Sequence, residues 1–580
     1  MATDNLTEGH PWGSDSISSS MKIVSLAEMV EDTQPDKTLR PTAEVDRWKQ
    51  WTSVLLLVSP FLYAGVSQFQ GQDASWDLQN YHFFDSYWLL VNHMRDVTPA
   101  QLQTYLSPIL DIPFYLAAGH LPPRVTGYLL AVIQGLSFPL LYFISRHFTS
   151  RRSIALVLAG LGMFTAGALS ELGTIIGDTL IAPLFFGAIL IGLHSLDASR
   201  SHGRKGIVPA GLILSSSALA GVAAGLKLAE LPIALGITAA FPLVSGTFSQ
   251  RVRKGLLAGS GLVLGVLLSY GWWGYTLATR YGNPILPYMN QIFHSAYAPL
   301  APNTDMRWNT HGILDIVLYP LIWTVHPTRV GELAFLEASV PILELLLFAL
   351  IVTSIIRAVA QHRRLAVFDN DKQRFVIAVV VISYLVWVLQ FAYYRYFIPM
   401  EMLSFTAIFV CLQALSTQIE WKPIVRSGLV AVALICFVSE SPANWGRSAW
   451  SSSYFSASIP RPLTKQPAAF LMLGWSPDSY VVTFFPQRDY FARIGGNLPP
   501  TPYLRRIVVK QIASYQHIYI IWEDPIQPLT VAAFVGSAQA STAQLGLQVD
   551  WSGCIHFPAT VGAITEQFHV CRTREPSRPG

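Results

Sequence analysis

Four stretches of this sequence set ionisable side chains against apolar runs, where such groups are costly and therefore candidates for function. The first is Asp73-Ala-Ser-Trp-Asp77-Leu-Gln-Asn-Tyr81-His82, just after an apolar run. It brings carboxylates, aromatic rings and an imidazole to the lipid–water boundary, where a carboxylate can take a proton from an acceptor hydroxyl. A solvated loop acid beside an aromatic belt has the same pattern. The second is Glu171 with Asp178 in SELGTIIGDTLIAPLFF. An acid at a helix start can simply cap it; the rival reading has both acids lining one cavity with Asp77. The third is Lys227 in AGLKLAELP, which can snorkel to lipid phosphates or bind a substrate phosphate. The fourth is Arg395 with Tyr396 in FAYYRYFIPMEML, where arginine beside tyrosines suits two-pronged phosphate recognition. Glu401, a turn or two further on, reads as a partner for a nearby cation. Lys227 and Arg395 with Asp77, Glu171 and Asp178 at one membrane edge describe a site for an anionic, lipid-attached substrate.

The composition says what must position these residues. Of 580 residues, 52% are hydrophobic and only 13% charged, with a mean hydropathy of +0.39. A soluble domain carries about 25% charged residues, so much of this chain sits in lipid. A net charge of +4 without a basic run excludes a nucleic-acid binder. Spans of about 20 apolar residues are expected near 51–69, 124–144, 154–171, 177–196, 207–226, 228–247, 255–276, 338–356, 375–393, 397–417 and 427–443. Clusters of Lys and Arg precede the first span and follow the second, fourth, sixth, eighth and tenth. Examples are Arg146, Arg151 and Arg152, then Arg251, Arg253 and Lys254. All fall inside if the N-terminus is inside and about eleven helices cross.

The expected fold is mainly α, a polytopic membrane protein with a small C-terminal α/β domain. Residues 1–48 read as a disordered cytoplasmic leader, 49–443 as the transmembrane domain and 444–580 as the extracytoplasmic domain. DSYWLLVNHM at 85–94 and TYLSPILDIPFYLAA at 104–118 suit interfacial helices in the first outer loop. In the C-terminal domain SYVVTFF, RRIVVK and HIYIIW read as β-rich runs. The four cysteines make no disulfide framework; Cys554 and Cys571 allow one bridge, which the sequence leaves open. No Walker loop, HExxH or GxSxG is present, and His82, His93 and His120 lack metal-ligand spacing. No transporter-type repeat is visible, and the glycines of GLLAGSGLVLG suit close helix packing.

Four motifs carry a family resemblance. WDLQNYH at 76–82, GDTL at 177–180, RYFIP at 395–399 and GNPILPYMNQIFHS at 282–295 resemble elements of the GT-C class of integral-membrane glycosyltransferases. That class includes protein O-mannosyltransferases and aminoarabinose transferases, and the last motif resembles bacterial members. The resemblance implies an inverting transfer from a polyprenyl-phosphate-linked sugar to a hydroxyl on the outer face of the inner membrane. The acceptor would be a lipid, glycan or protein. Asp77 inherits the role of general base and Asp178 helps form the site. Arg395 and Lys227 would hold the donor phosphate, with Tyr81, His82, Glu171 and Tyr396 around the substrate. Neither nucleotide nor nucleic acid is implied; a divalent metal ion is left open. Asp77 lacks the adjacent second acid of several members, and Asp73 lies four residues upstream, so the choice of base between them stays open. A lipid or sugar transporter or flippase, and a surface-polysaccharide polymerase or ligase, remain the alternatives.

Overall fold

The computed structural model describes residues 43–201, 207–362, 367–368, 370–419, 423–498, 500–524 and 530–574. The leader up to residue 42, with Arg40, and the loop residues Arg204, Lys205, Arg363, Arg364 and Lys422 lie outside them. All eleven expected spans are helical. Among the described residues, eight helical stretches are long and apolar enough to cross a membrane by length and composition. They are Lys49–Ser67, Pro123–Arg146, Asp178–Ser199, Pro209–Leu226, Phe248–Tyr281, Ser339–Ala360, Asp371–Gln390 and Tyr394–Gln418. The other three expected spans are the shorter apolar helices Arg152–Met163, Leu228–Leu243 and Pro423–Ser439. Another short apolar helix, Ile313–Val325, falls in a stretch expected as loop. Such runs form helices because a helix closes every backbone hydrogen bond within itself, which lipid demands.

The basic loops gather at one end. Lys372 Nζ lies 2.6 Å from Asp197 Oδ1 and 3.1 Å from His147 Nδ1. Arg374 donates to Ser245 Oγ at 2.7 Å, and Lys254 to the Ser245 carbonyl at 2.9 Å. The helix that carries Asp197 begins at Asp178. At 1.5 Å per residue the two acids are about 28 Å apart along its axis, so the candidate site and the basic loops occupy opposite ends of that helix.

Helix Phe248–Tyr281 lies along helix Ile207–Leu226. The contact needs glycine: a Cβ on Gly261 or Gly265 would strike the carbonyl oxygens of Leu214 and Ala218. The glycine-rich run is therefore a close-packing face, as its sequence suggested.

Two short strands, β1 (Gln72–Asp73) and β2 (Arg447–Ser448), pair antiparallel and tie the loop after the first span to the chain leaving the last. Beyond them a seven-stranded sheet forms from β3 (Phe455–Ala457), β4 (Ala468–Met472), β5 (Tyr490–Arg493), β6 (His517–Glu523), β7 (Gln548–Val549), β8 (Ile555–Val561) and β9 (Ile564–Arg574). The order is β3-β8-β9-β6-β4-β5, with β7 beside β9. β4 pairs parallel with β5 and β6, and the other pairings are antiparallel. Cys554 and Cys571 are bridged.

Three local expectations change. HIYIIW is strand β6, but RRIVVK lies in helix Pro502–Ile512. Thr501 accepts from Leu504 N at 3.2 Å, Pro502 opens the first turn, and Leu504, Val508 and Ile512 bury one face. Cap and i, i+4, i+8 spacing outweigh the β-branched valines. SYVVTFF is mostly a 3-10 turn, Ser479–Phe484. In helix Phe84–Leu90 the aromatic residues Tyr87 and Trp88 are buried rather than spread on a membrane surface. Trp88 packs edge-on against Trp273 with centroids 6.4 Å apart.

Replacing Gly265 with Val is expected to force the two helices apart and lower stability by about 1–3 kcal/mol, read as an earlier thermal transition of the purified protein. An unchanged transition would contradict the packing described.

Candidate active site

The loop carrying Asp77 is held from the sheet domain. Asp77 immediately precedes a five-residue π turn, Leu78–His82, whose residues are all buried. Ser479 donates to the Asn80 carbonyl, and Asn80 Nδ2 reaches Ala100 O and Gln103 Oε1, each at 3.3 Å. Arg493, paired with the buried Asp478, donates to Pro99 O at 2.7 Å. Asp96 Oδ1 accepts from Phe491 N at 3.1 Å. Burial lifts the Asp96 carboxyl above its ordinary range, while His93 and the Phe491 amide pull it back.

Asp178 opens its helix after Gly173 and Gly177, whose φ angles of +76° and +107° favour glycine. Asp178 does not supply the cap. Glu171 Oε2 accepts from Thr179 N at 2.9 Å and Thr179 Oγ1 at 3.1 Å, which leaves the Asp178 carboxylate to the cations. Lys227 Nζ lies 2.5 Å from Asp178 Oδ1 and Arg395 Nε 3.2 Å from Asp178 Oδ2. Arg395 Nη1 then reaches Asp77 Oδ2 at 2.7 Å.

These four residues thus form one chain of ion pairs, Asp77–Arg395–Asp178–Lys227, drawn from four distant stretches. Lys227 sits at the joint between helices Ile207–Leu226 and Leu231–Ala240 and also donates to Ile176 O at 2.7 Å. Arg395 belongs to a 3-10 turn, Tyr394–Phe397, that runs into helix Ile398–Gln418. Its guanidinium lies 5.3 Å from the Tyr393 ring centroid and 5.6 Å from that of Tyr396. Lys227 Nζ lies 5.5 Å from the Tyr396 centroid, so Tyr396 offers its π face to both cations.

A cleft adjoins this chain, and its walls include Tyr81, His82, Asp111, Lys227, Tyr288 and Tyr396. Lys227 is the member of the ion-pair chain on the wall; Asp77, Asp178 and Arg395 are not part of the lining. His82 Nδ1 contacts Asp111 Oδ1 at 2.7 Å. Burial raises the Asp111 carboxyl above the usual carboxylate range, against the pull of His82 and Lys227.

Sequence reasoning missed two acids of the site. Asp111 lies within the stretch read as an interfacial helix, and its pairing with His82 is a tertiary contact across 29 residues. Glu230, whose carboxyl faces Asp178, stood three residues past Lys227 as the only signal. Tyr288 of the GNPILPYMNQ motif was not singled out either.

Asp73 and Asp77 differ in their partners. Asp73 accepts from Ser75 N at 2.9 Å with one oxygen and from Ile175 N at 3.0 Å with the other, so it ties loops together. Glu401 does not meet a cation as expected; it accepts from Gly167 N at 3.0 Å.

A resident divalent ion does not suit this donor set. Asp77 and Asp178 already face Arg395 and Lys227, and among the described residues no three His, Cys, Asp or Glu side chains are grouped to hold a metal. The ammonium and guanidinium occupy the places where a metal would balance these carboxylates.

No protein-family model matches the chain, and no curated protein matches it. Solved structures do. The solved structures it resembles are GT-C glycosyltransferases. It is similar to ArnT from Cupriavidus metallidurans bound to undecaprenyl phosphate, with 12% identity over 91% of this chain and 98% of that one and a TM-score of 0.42. It is also similar to arabinofuranosyltransferase AftD from Mycobacteria, with 13% identity and a TM-score of 0.47, covering 90% of this chain but 40% of that one. A third is the Archaeoglobus fulgidus oligosaccharyltransferase with zinc and sulfate, with 10% identity, 82% and 67% coverage and a TM-score of 0.40. At such identities and scores, what the site of this chain does has to be read from its own residues.

A double-mutant cycle of Asp77→Asn and Arg395→Gln, read by thermal unfolding, is expected to give a coupling of about 1–3 kcal/mol. Additive effects would mean that the two side chains do not pair.

Proposed function

We propose that this chain is a membrane glycosyltransferase, moving a sugar from a polyprenyl-phosphate donor to a hydroxyl acceptor on the outer face with inversion. The observation that carries the reading is the buried ion-pair chain, with one of its cations on the wall of a cleft lined by tyrosines. Two cations desolvated behind such a cleft are suited to a phosphate, which binds as an anion and leaves with still more negative charge.

The donor phosphate meets Lys227 first and competes with Asp77 for Arg395. As Arg395 turns to the phosphate, Asp77 is released to orient and deprotonate the acceptor hydroxyl. The acceptor oxygen bonds to the anomeric carbon as the carbon–phosphate oxygen bond breaks on the opposite side. The electron pair of that bond goes to the phosphate, and attack from the far side inverts the sugar carbon. Tyr81 and Tyr396 flank the substrate, His82 faces it, and Glu171 keeps the Asp178 helix start in place. No nucleotide enters the scheme.

The basic loops at the far end of the Asp178 helix support an outward-facing site, as does the Cys554–Cys571 bridge, a feature of oxidising compartments. In this reading residues 1–48 form a cytoplasmic leader, 49–443 the catalytic membrane domain and 444–580 an outer domain. The site lies at helix ends rather than midway along the spans, which favours surface chemistry over the midplane binding of a transporter.

The test is sugar transfer by purified protein in proteoliposomes, with a panel of synthetic polyprenyl-phosphate hexoses and pentoses. Asp77→Asn is expected to slow transfer by about 10²–10⁴-fold, and Lys227→Gln to raise the donor KM. Undiminished transfer by Asp77→Asn would overturn the base assignment.

A further inference from the structure

The proposed reaction leaves a proton on Asp77, and a neutral Asp77 cannot restore its ion pair with Arg395 once the lipid phosphate has gone. That proton needs an exit, and Asp77 is not itself part of the cleft lining. His82 stands at the other end of the same turn. A π turn closes i to i+5 hydrogen bonds, and Asp77 and His82 are five residues apart across the turn Leu78–His82.

His82 is unlike an ordinary packed histidine. It is 3% exposed, lies on the cleft wall, and its Nδ1 is 2.7 Å from Asp111 Oδ1. With Asp111 accepting from Nδ1, the tautomer assigned by that bond leaves the lone pair on Nε2. His82 Nε2 is buried and makes no hydrogen bond to the described protein. A histidine serving packing alone would satisfy both nitrogens, because leaving a buried polar atom unmet is unfavourable. A carboxylate holding one imidazole nitrogen while the other faces a substrate cleft is the arrangement that makes histidine a proton acceptor. Asp111 does here what an orienting acid does: it fixes the ring.

We propose that His82, backed by Asp111, takes the proton from Asp77 after transfer and releases it to the cleft, resetting the Asp77–Arg395 pair. The inference rests on the glycosyltransferase reading above. The balance is simple. The acceptor hydroxyl's proton passes to an Asp77 oxygen, while the electron pair it leaves on the acceptor oxygen forms the new sugar bond. Asp77 then gives the proton to His82 Nε2, and the imidazolium loses it to water. Nothing is oxidised or reduced.

The experiment is steady-state transfer by the full-length protein in proteoliposomes, with the same donor panel and with free imidazole as the probe. His82→Ala is expected to lower the rate about 100-fold, and imidazole at tens of millimolar to restore at least tenfold of it. Asp111→Asn, which keeps the shape of the acid, is expected to be slow and to gain nothing from imidazole. A His82→Ala variant as fast as the native protein would overturn the relay. So would a slow variant that folds with a native melting profile and ignores imidazole, since that reports packing alone. Failure of the native protein to transfer any sugar of the panel would bring down the glycosyltransferase reading and the relay with it, whereas a failed rescue in an active enzyme sinks the relay alone.

Discussion

The Asp178 carboxylate has no exposure to water and is held between an ammonium at 2.5 Å and a guanidinium at 3.2 Å. A charge so buried survives only if its partners are fixed close by, because removing one partner costs about 3–5 kcal/mol. That requirement governs the whole end of the bundle. Glu171 caps the helix so that Asp178 need not. Glycines at positive φ let the chain enter the helix at the angle that aims Asp178 at the cations. Lys227 and Arg395 each sit at a break between apolar helices, where a cation can reach inward. The same interactions that make the site costly to assemble make it receptive to an anion, since a phosphate can take over a carboxylate's place on Arg395.

The sheet domain has a mechanical part in this arrangement. Much of what fixes the π turn and the loop after it comes from residues roughly 400 positions later. Ser479, Phe491, Arg493 and Asn497 all bond to the loop between Asn80 and Leu102. The strand pair Gln72–Asp73 with Arg447–Ser448 adds a second tie at the other side of the turn. Asp77 is thus positioned by the C-terminal domain as much as by the helices.

The spans were legible in the sequence because apolar runs of twenty residues have few other fates, and the charged residues between them marked their ends. Asp77, Asp178, Lys227 and Arg395 were legible for the same reason: in so apolar a chain, charges at helix ends are few. Their contact was not legible, because nothing in a linear pattern says that residues 77, 178, 227 and 395 meet. Asp111 was hidden for a related reason. It lies in a stretch read as an interfacial helix, and only the fold brings it to His82. RRIVVK misled because its valines suit a strand, while the signal that decided its structure, Thr501-Pro502, lay upstream. Trp88 misled because an aromatic residue suited to a membrane surface is equally suited to packing beneath a domain whose position the sequence does not reveal.

In the proposed function Lys227 and Arg395 hold a lipid-borne phosphate. The most direct measurement compares the binding of polyprenyl phosphate and of uncharged polyprenol to the purified full-length protein by native mass spectrometry. Polyprenyl phosphate is expected to stay bound, and polyprenol of the same chain length to be lost, with the difference abolished in Lys227→Gln,Arg395→Gln. Equal retention of the two lipids by the native protein would contradict the claim.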